Sequence, residues 1–316
     1  MKTIHLSDIA AGGAQTILGL ENGIVVEVDG SIIPVRYKSG RGKDLIVLFH
    51  PALKPERLGT PWFQPFLPVG VPQIAIADPT PLSMQGVAAG WYLGGEGEGL
   101  PPKITRLVRA IAQILGCKRR VYVGGSSGGF AALLFAGLDD QSVAVAACPQ
   151  TNLRCYVNSH LQNFLAQKYP ATLKLPPEAD LPSFLPARWK SAAVLLVSSS
   201  DHEHLYQQVL PLVTALGFER RNDLVLNVAY HGVLGHSGSV PPAVYVDWVR
   251  AVLQCPRFTA DDVMQTHHTM QSARIPSQSI PRPTVTASTD ASEVSNAAIA
   301  FADILRDHQL RQINET

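Results

Sequence analysis

The chain has 316 residues, of which 46% are hydrophobic and 16% charged, a balance that supports a packed globular core and excludes a disordered chain. Lysine and arginine number 26 against 25 acids, a formal charge of +1, which excludes a basic field of the kind that holds a nucleic-acid backbone. The longest basic run, Lys118-Arg119-Arg120, precedes an apolar strand and reads as a solvated loop.

Four cysteines, Cys117, Cys148, Cys155 and Cys255, form no CxxC pair and have no zinc-like spacing, so no metal and no cofactor are expected. MKTIHLSDIAAGGAQ at the start lacks the apolar centre of a signal peptide. No stretch approaches the ~18 to 20 apolar residues that span a bilayer. Together these features point to a reduced, soluble, cytoplasmic protein without a membrane span or a nucleic-acid partner.

In chain order, TILGL and GIVVEV flank Glu21-Asn22-Gly23, and Asp29-Gly30 turns the chain into SIIPVRYK. The region reads as strand, turn and strand, closing in an antiparallel hairpin. After the glycine-rich break at 39–42, LIVLF (45–49) is a short continuous apolar run, as expected of a strand buried on both faces. Similar runs recur at 73–77, 121–124, 143–147, 192–198 and 224–229. Helical periodicity lies between them. Over 103–116, Ile104, Leu107, Val108, Ile111, Ile114 and Leu115 form one stripe that ends at a C-cap glycine. Further helices are expected after the 121–124 strand, after the 192–198 strand, and from 241, where proline opens the first turn. Buried strands alternating with helices imply a mainly parallel, doubly wound α/β sheet entered by the N-terminal hairpin.

Two stretches break the rhythm. Residues 150–190, rich in proline, read as a cap-like insertion. After a main domain over 1–255, the chain turns polar, and 256–289 reads as a linker. Residues 290–316 read as a C-terminal helix with amphipathic pattern, available to dock on the same chain or on a protein partner.

The segment VYVGGSSGGFAALLFA (121–136) carries the most chemistry. A strand, a G-x-S-x-G and a helix of small residues describe a nucleophile elbow, the mark of the α/β-hydrolase fold. The turn is so sharp that residues two before and two after the serine must be small. Its hydroxyl then stands at the top of the sheet, with a helix N-terminus facing the developing oxyanion. Two registers fit: Gly124-x-Ser126-x-Gly128, which is favoured because Gly124 follows the strand directly, and Gly125-x-Ser127-x-Gly129. A glycine-rich phosphate-binding turn is the competing reading.

A serine hydroxyl needs a histidine to take its proton, and the histidine needs an acid to fix its tautomer. In this fold the chain order is serine, acid, histidine. Asp201 at the end of AAVLLVSSSD and His236 in the loop after the last strand supply that order. Glu203 and His231 are the neighbouring rivals. Asp201-His202-Glu203-His204 has metal-binding residue types, but adjacent ligands on a helix start point in different directions. Ser127 is expected to give one backbone N–H to an oxyanion. The other is expected from the loop His50-Pro51-Ala52-Leu53, where Pro51 has none to give, so Ala52 is the candidate and Leu53 the next. His50, Trp91 and Tyr92, near other strand ends, are tentative substrate-binding residues, with core packing as the alternative. The loop at 94–99 has no lysine and carries two glutamates, which argues against a phosphate site.

ADPT (77–80), GWYLGG (90–95), GGSSGGFAAL (124–133) and CPQTN (148–152) resemble a bacterial family associated with capsular polysaccharide biosynthesis. That family is similar in turn to the accessory-secretion α/β-hydrolase-like proteins that act on glycosylated adhesins. The resemblance covers roughly residues 45–240 and implies serine-dependent acyl transfer or deacylation on a glycan, with Ser126, Asp201 and His236 at the triad positions. The expectation is therefore an esterase or acyltransferase acting on a small-molecule ester or glycan. The alternatives are a non-catalytic glycan- or protein-binding module on the same scaffold and a capsule-type glycosyltransferase.

Overall fold

The computed structural model describes residues 2–156, 159–217, 221–236 and 238–273. The C-terminal helix expected over 290–316 lies outside the described residues. In chain order the elements are β1 (Thr3–His5), α1 (Leu6–Leu18), β2 (Ile24–Val28), β3 (Ser31–Lys38), β4 (Asp44–Phe49), β5 (Gln73–Ile76), the short α2 (Thr80–Ser83), α3 (Leu100–Ile114), β6 (Arg119–Gly125), α4 (Ser127–Gly137), β7 (Ser142–Ala147), α5 (Ser159–Lys168), the short α6 (Leu181–Phe184), β8 (Ala192–Ser198), a π-helical turn (His204–Val209) running into α7 (Leu210–Leu216), β9 (Leu224–Ala229), α8 (Pro242–Gln254) and α9 (Ala260–Ser272).

The strands form one nine-stranded sheet in the order β1-β2-β3-β5-β4-β6-β7-β8-β9. β3 is antiparallel to β2 and β5, and the other adjacent pairs are parallel. This is the α/β-hydrolase fold: a mainly parallel sheet flanked by helices, with the β2–β3 hairpin leading into it. The five parallel strands β4 to β8 are apolar runs because both of their faces are covered. Every residue of β5, β7 and β8 is buried. α4 is buried on all sides, which is why its sequence has small and apolar residues around the whole circumference rather than a stripe. Phe49, Tyr92 and Tyr122 pack around its Phe135, with ring centroids 4.9 Å apart for Phe49–Tyr92 and 5.1 Å for Phe49–Phe135.

Two expectations are corrected. TILGL is not a strand: Thr16, Ile17 and Leu18 form the last turn of α1, and a 3-10 turn follows. Ile9, Ile17 and Leu20 are its core contacts, and Gly13, at φ +57°, kinks the helix between them. Nor is the chain after Cys255 a linker throughout, because α9 occupies Ala260–Ser272. Thr259 caps α9 by accepting the Asp262 N–H at 3.1 Å. Its buried contact is Val263. His267 stacks on Trp248 of α8 at 3.8 Å and 5°, and Gln271 donates to Asp247 at 2.9 Å. No described helix is long and apolar enough to cross a membrane.

Candidate active site

The carboxyl ends of β4 to β9 meet at one edge of the sheet. Ser126 stands between β6 and α4 with φ +54° and ψ −120°, a conformation that a side-chain-bearing residue adopts only when its surroundings impose it. The surrounding glycines explain how. A Cβ on Gly124 would lie 2.2 Å from the Gly128 carbonyl oxygen, and one on Gly128 would lie 2.6 Å from the Phe49 carbonyl oxygen. The chain therefore folds back on itself only with glycine two residues before and two after Ser126. That spacing is the Ser126 register of the motif.

Ser126 Oγ lies 2.9 Å from His236 Nε2, and His236 Nδ1 lies 2.7 Å from Asp201 Oδ2. The structure thus brings Ser126, His236 and Asp201 into one hydrogen-bonded chain. Asp201 sits just past β8, at the head of the π-helical turn. His236 comes from the loop between β9 and α8. The carboxylate only accepts, so Nδ1 of His236 carries the proton and Nε2 is left as the acceptor for the serine hydroxyl. Burial by itself would raise Asp201, but hydrogen bonds from His204 and His236 outweigh it and hold the carboxyl well below the usual carboxylate range. Burial would lower His236. The hydrogen bond to Asp201, aided by contact with Cys148, outweighs that and raises the imidazole to about 9.

Neither rival stands in this chain. Glu203 is exposed, and His231 Nε2 is buried with no hydrogen-bond partner among the described residues. The candidate oxyanion donors, Ser127 and Ala52, flank the nucleophile differently. Ser127 begins α4, where an N–H has no partner within the helix. Leu53 gives its N–H to the Ala88 carbonyl at 2.8 Å, whereas Ala52 lines the same cavity as Ser126.

The substrate-binding expectation for His50, Trp91 and Tyr92 is corrected. All three are 1% exposed, and none lines the cavity. His50 has both ring nitrogens engaged, Nδ1 with the Pro51 carbonyl at 2.7 Å and Nε2 with the Asp78 N–H at 2.9 Å, and burial lowers its pKa. Tyr92 accepts the His50 N–H at 2.9 Å. Asp78 fixes the 90–92 turn through the Gly90 N–H at 2.7 Å. Trp91 acts one step back from the chemistry: its indole N–H donates to Gln150 Oε1 at 2.5 Å, and the Gln150 amide donates to Ser126 Oγ at 3.1 Å. The ADPT, GWYLGG and CPQTN segments therefore form one brace behind the serine. Trp91 and Tyr92, at φ +50° and +59°, and Cys148, at +38°, share the positive φ of Ser126, so backbone strain is gathered at this edge.

A cavity of about 490 Å³ opens beside Ser126. Its walls come from the 51–67 segment and from 236–245, with Leu48, Leu53, Leu67 and Val240 apolar and Lys54 and Arg57 cationic. Arg57 lies over the Trp62 ring at 4.6 Å. The 150–190 insertion packs instead on Trp91, through Phe164 at 5.6 Å. Donor atoms of Cys148, Asp201 and His236 lie within 4.8 Å of one another. Both carboxylate oxygens and both imidazole nitrogens already hold hydrogen-bond partners within the protein. Sequence reasoning missed Gln150, His204, Cys148 and the cavity wall around Trp62 and Tyr245. Of these, Cys148 and Gln150 stood inside the CPQTN segment and His204 in the Asp201–His204 run, none of them with a role attached.

No protein-family model matches the chain, and none of the curated proteins matches it. Its fold is similar to that of the capsule O-acetyltransferase of Neisseria meningitidis serogroup A. A variant of that protein in complex with CoA gives a TM-score of 0.55 at 16% identity, over 75% of this chain and 100% of the other. A second structure of the same acetyltransferase gives 0.53 at 17% identity, over 73% and 94%. The acylaminoacyl peptidase of Pyrococcus horikoshii gives 0.54 at 10% identity, over 77% of this chain and 43% of the peptidase. At these identities the likeness shows the fold: an α/β-hydrolase fold that resembles a capsule-related protein.

Proposed function

We propose that the chain is a serine-dependent enzyme of the esterase and acyltransferase class, acting on a carboxylic ester through an acyl-Ser126 intermediate. The single observation that carries this reading is the hydrogen-bonded chain from Ser126 Oγ through His236 to Asp201, at 2.9 and 2.7 Å. Ser126 Oγ attacks the ester carbonyl carbon while His236 Nε2 takes its proton, and Asp201 holds the imidazolium. The tetrahedral oxyanion accepts the backbone N–H groups of Ser127 and Ala52. Collapse breaks the bond to the leaving alcohol, which takes the proton from His236. Water or a sugar hydroxyl then attacks the acyl group, with His236 again as base, and Ser126 is released.

An O-acyl group on a glycan, removed by hydrolysis or installed by transfer, is what the resemblance favours. The cavity's Lys54 and Arg57 suit an anionic acyl donor, and the capsule O-acetyltransferase similar in fold was solved with CoA. Transfer from such a donor to a sugar hydroxyl is therefore the form of the reaction to assay first. A fluorophosphonate probe tests the mechanism directly. The wild type takes the label, Ser126→Ala loses it, and Ser127→Ala keeps it. Labelling that persists in Ser126→Ala would sink the assignment, and loss in Ser127→Ala alone would move the nucleophile by one residue. A wild type that takes no label supports the non-catalytic binding module instead.

A further inference from the structure

Asp201 holds two imidazoles, and the proposed reaction uses only one of them. Its Oδ2 binds His236, whereas its Oδ1 lies 2.9 Å from His204 Nδ1 and also accepts the His204 N–H at 3.4 Å. The His204 ring lies flat on that of His236, centroids 3.8 Å apart and planes 11° apart. His204 is 3% exposed, and its Nε2 has no hydrogen-bond partner among the described residues. It opens the π-helical turn His204–Val209, a local widening of the helix that is frequent at functional sites. None of this is needed to pack the turn, since the Leu205 N–H already closes on the Asp201 carbonyl at 2.9 Å.

We propose that His204 is a positioning residue of this site, which locks the rotation of the Asp201 carboxylate and limits its grip on His236, so that His236 gives up its proton more readily. The proposal rests on the acyl-Ser126 reading. A carboxylate oxygen only accepts, so Nδ1 of His204 carries the hydrogen. That donated bond withdraws negative charge from the carboxylate and leaves less of it to stabilise the imidazolium of His236. The titratable groups facing the histidine pair are Asp201 itself, Cys148 from the end of β7, and Tyr156 from the segment after it, whose ring centroid is 6.0 Å from that of His204. Cys148 and Tyr156 lie on opposite members of the pair, so neither substitutes for the Oδ1 bond.

The test is the pH dependence of fluorophosphonate labelling from pH 6 to 10.5, in the wild type, His204→Phe and His204→Asn. Phenylalanine keeps the stacked ring and removes the donor. The asparagine amide nitrogen falls near the place of Nδ1 and restores it. In His204→Phe the midpoint of the acid limb moves up by about one pH unit, a loss of about tenfold in rate on the limb, while the alkaline plateau stays within a few-fold of wild type. His204→Asn returns the midpoint most of the way. A purely structural histidine would lower the plateau or the melting temperature and leave the midpoint in place, and that result overturns the proposal. Should His204→Phe fail to fold, nitrogen-15 spectra of histidine-labelled wild type decide: His204 as the Nδ1–H tautomer supports the proposal, and the Nε2–H tautomer overturns it. Failure of the underlying reading is seen separately, as label that Ser126→Ala does not remove.

Discussion

In the proposed reaction the state of His236 sets the pH at which Ser126 is nucleophilic. With the imidazole raised to about 9, the neutral base is about one molecule in a hundred at pH 7 and about one in ten at pH 8, because each pH unit below the midpoint is a factor of ten. The rate of serine labelling should therefore climb about tenfold per unit from pH 6 and level off near pH 9, where an unperturbed histidine would level off near 6.5. Asp201→Asn removes the charge that outweighs burial, so the limb falls back towards the ordinary imidazole range. The plateau also falls, on the order of 10⁴-fold, because an amide orients the imidazole in the wrong tautomer. The same shift predicts stability. A folded-state value above the unfolded one means that the His236–Asp201 pair stabilises fully below pH about 6.5 and loses that contribution as pH rises through about 9. Asp201 works with the opposite sign: its folded value is depressed, so its contribution is present above the ordinary carboxyl value of 3.8 and is lost progressively as pH falls below it. Melting temperatures between pH 6.5 and 9 should thus decline in the wild type and be flatter in Asp201→Asn. A wild-type labelling limb near 6.5, or an Asp201→Asn limb still near 9, would refute the account.

Trp91→Phe removes the 2.5 Å bond that orients Gln150, worth about 1 kcal/mol, and should slow labelling about fivefold with probe affinity unchanged; Gln150→Ala should do no less, in the same gel-based rate assay. Gly128→Ala places a Cβ 2.6 Å from the Phe49 carbonyl oxygen and 2.8 Å from that of His50. The cost of about 1–3 kcal/mol should appear as a lowered melting temperature together with lost labelling, since both follow from pushing α4 off β4. Val240→Phe fills part of the cavity beside Ser126. It should lower hydrolysis of octanoyl relative to acetyl nitrophenyl esters by about tenfold or more, measured as kcat/KM, and leave the acetyl rate near wild type.

The fold was legible where burial is two-sided. β8 begins and ends where its apolar run does, because a strand covered on both faces keeps no polar residue inside and the polar flanks mark its ends. It was hidden where few residues touch the core. The α1 contacts Ile9, Ile17 and Leu20 are spread over twelve residues, with a glycine kink between them, while the local text TILGL looks like a strand. α9 buries only Val263. Its other attachments include a stacked imidazole, a glutamine–aspartate hydrogen bond and a contact of Thr266 with Cys255, and these leave no mark in hydropathy. A short-range reading of polarity finds a linker where tertiary contacts hold a helix.

The site divides in the same way, by how directly a residue's chemistry dictates its place. Ser126, Asp201 and His236 could be singled out because a nucleophile elbow demands small neighbours and the reaction demands an order of groups at successive strand ends. The residues that hold those three in place answer to no such demand. Any donor could occupy Oδ1 of Asp201, and any indole or amide of the right reach could brace Ser126, so His204 and Gln150 have no spacing rule by which to be found. Trp91 shows the consequence: its place in the loop that follows a strand end marked it as a site residue, yet its buried indole donates to Gln150. What separates acyl transfer from hydrolysis should lie in the same class of residues. The bond-making groups are common to both reactions, and only the walls around Lys54, Arg57 and Trp62 and the brace behind the serine differ in what they admit. Substitutions there, more than in the serine–histidine–aspartate chain, are the ones that should change which acceptor takes the acyl group.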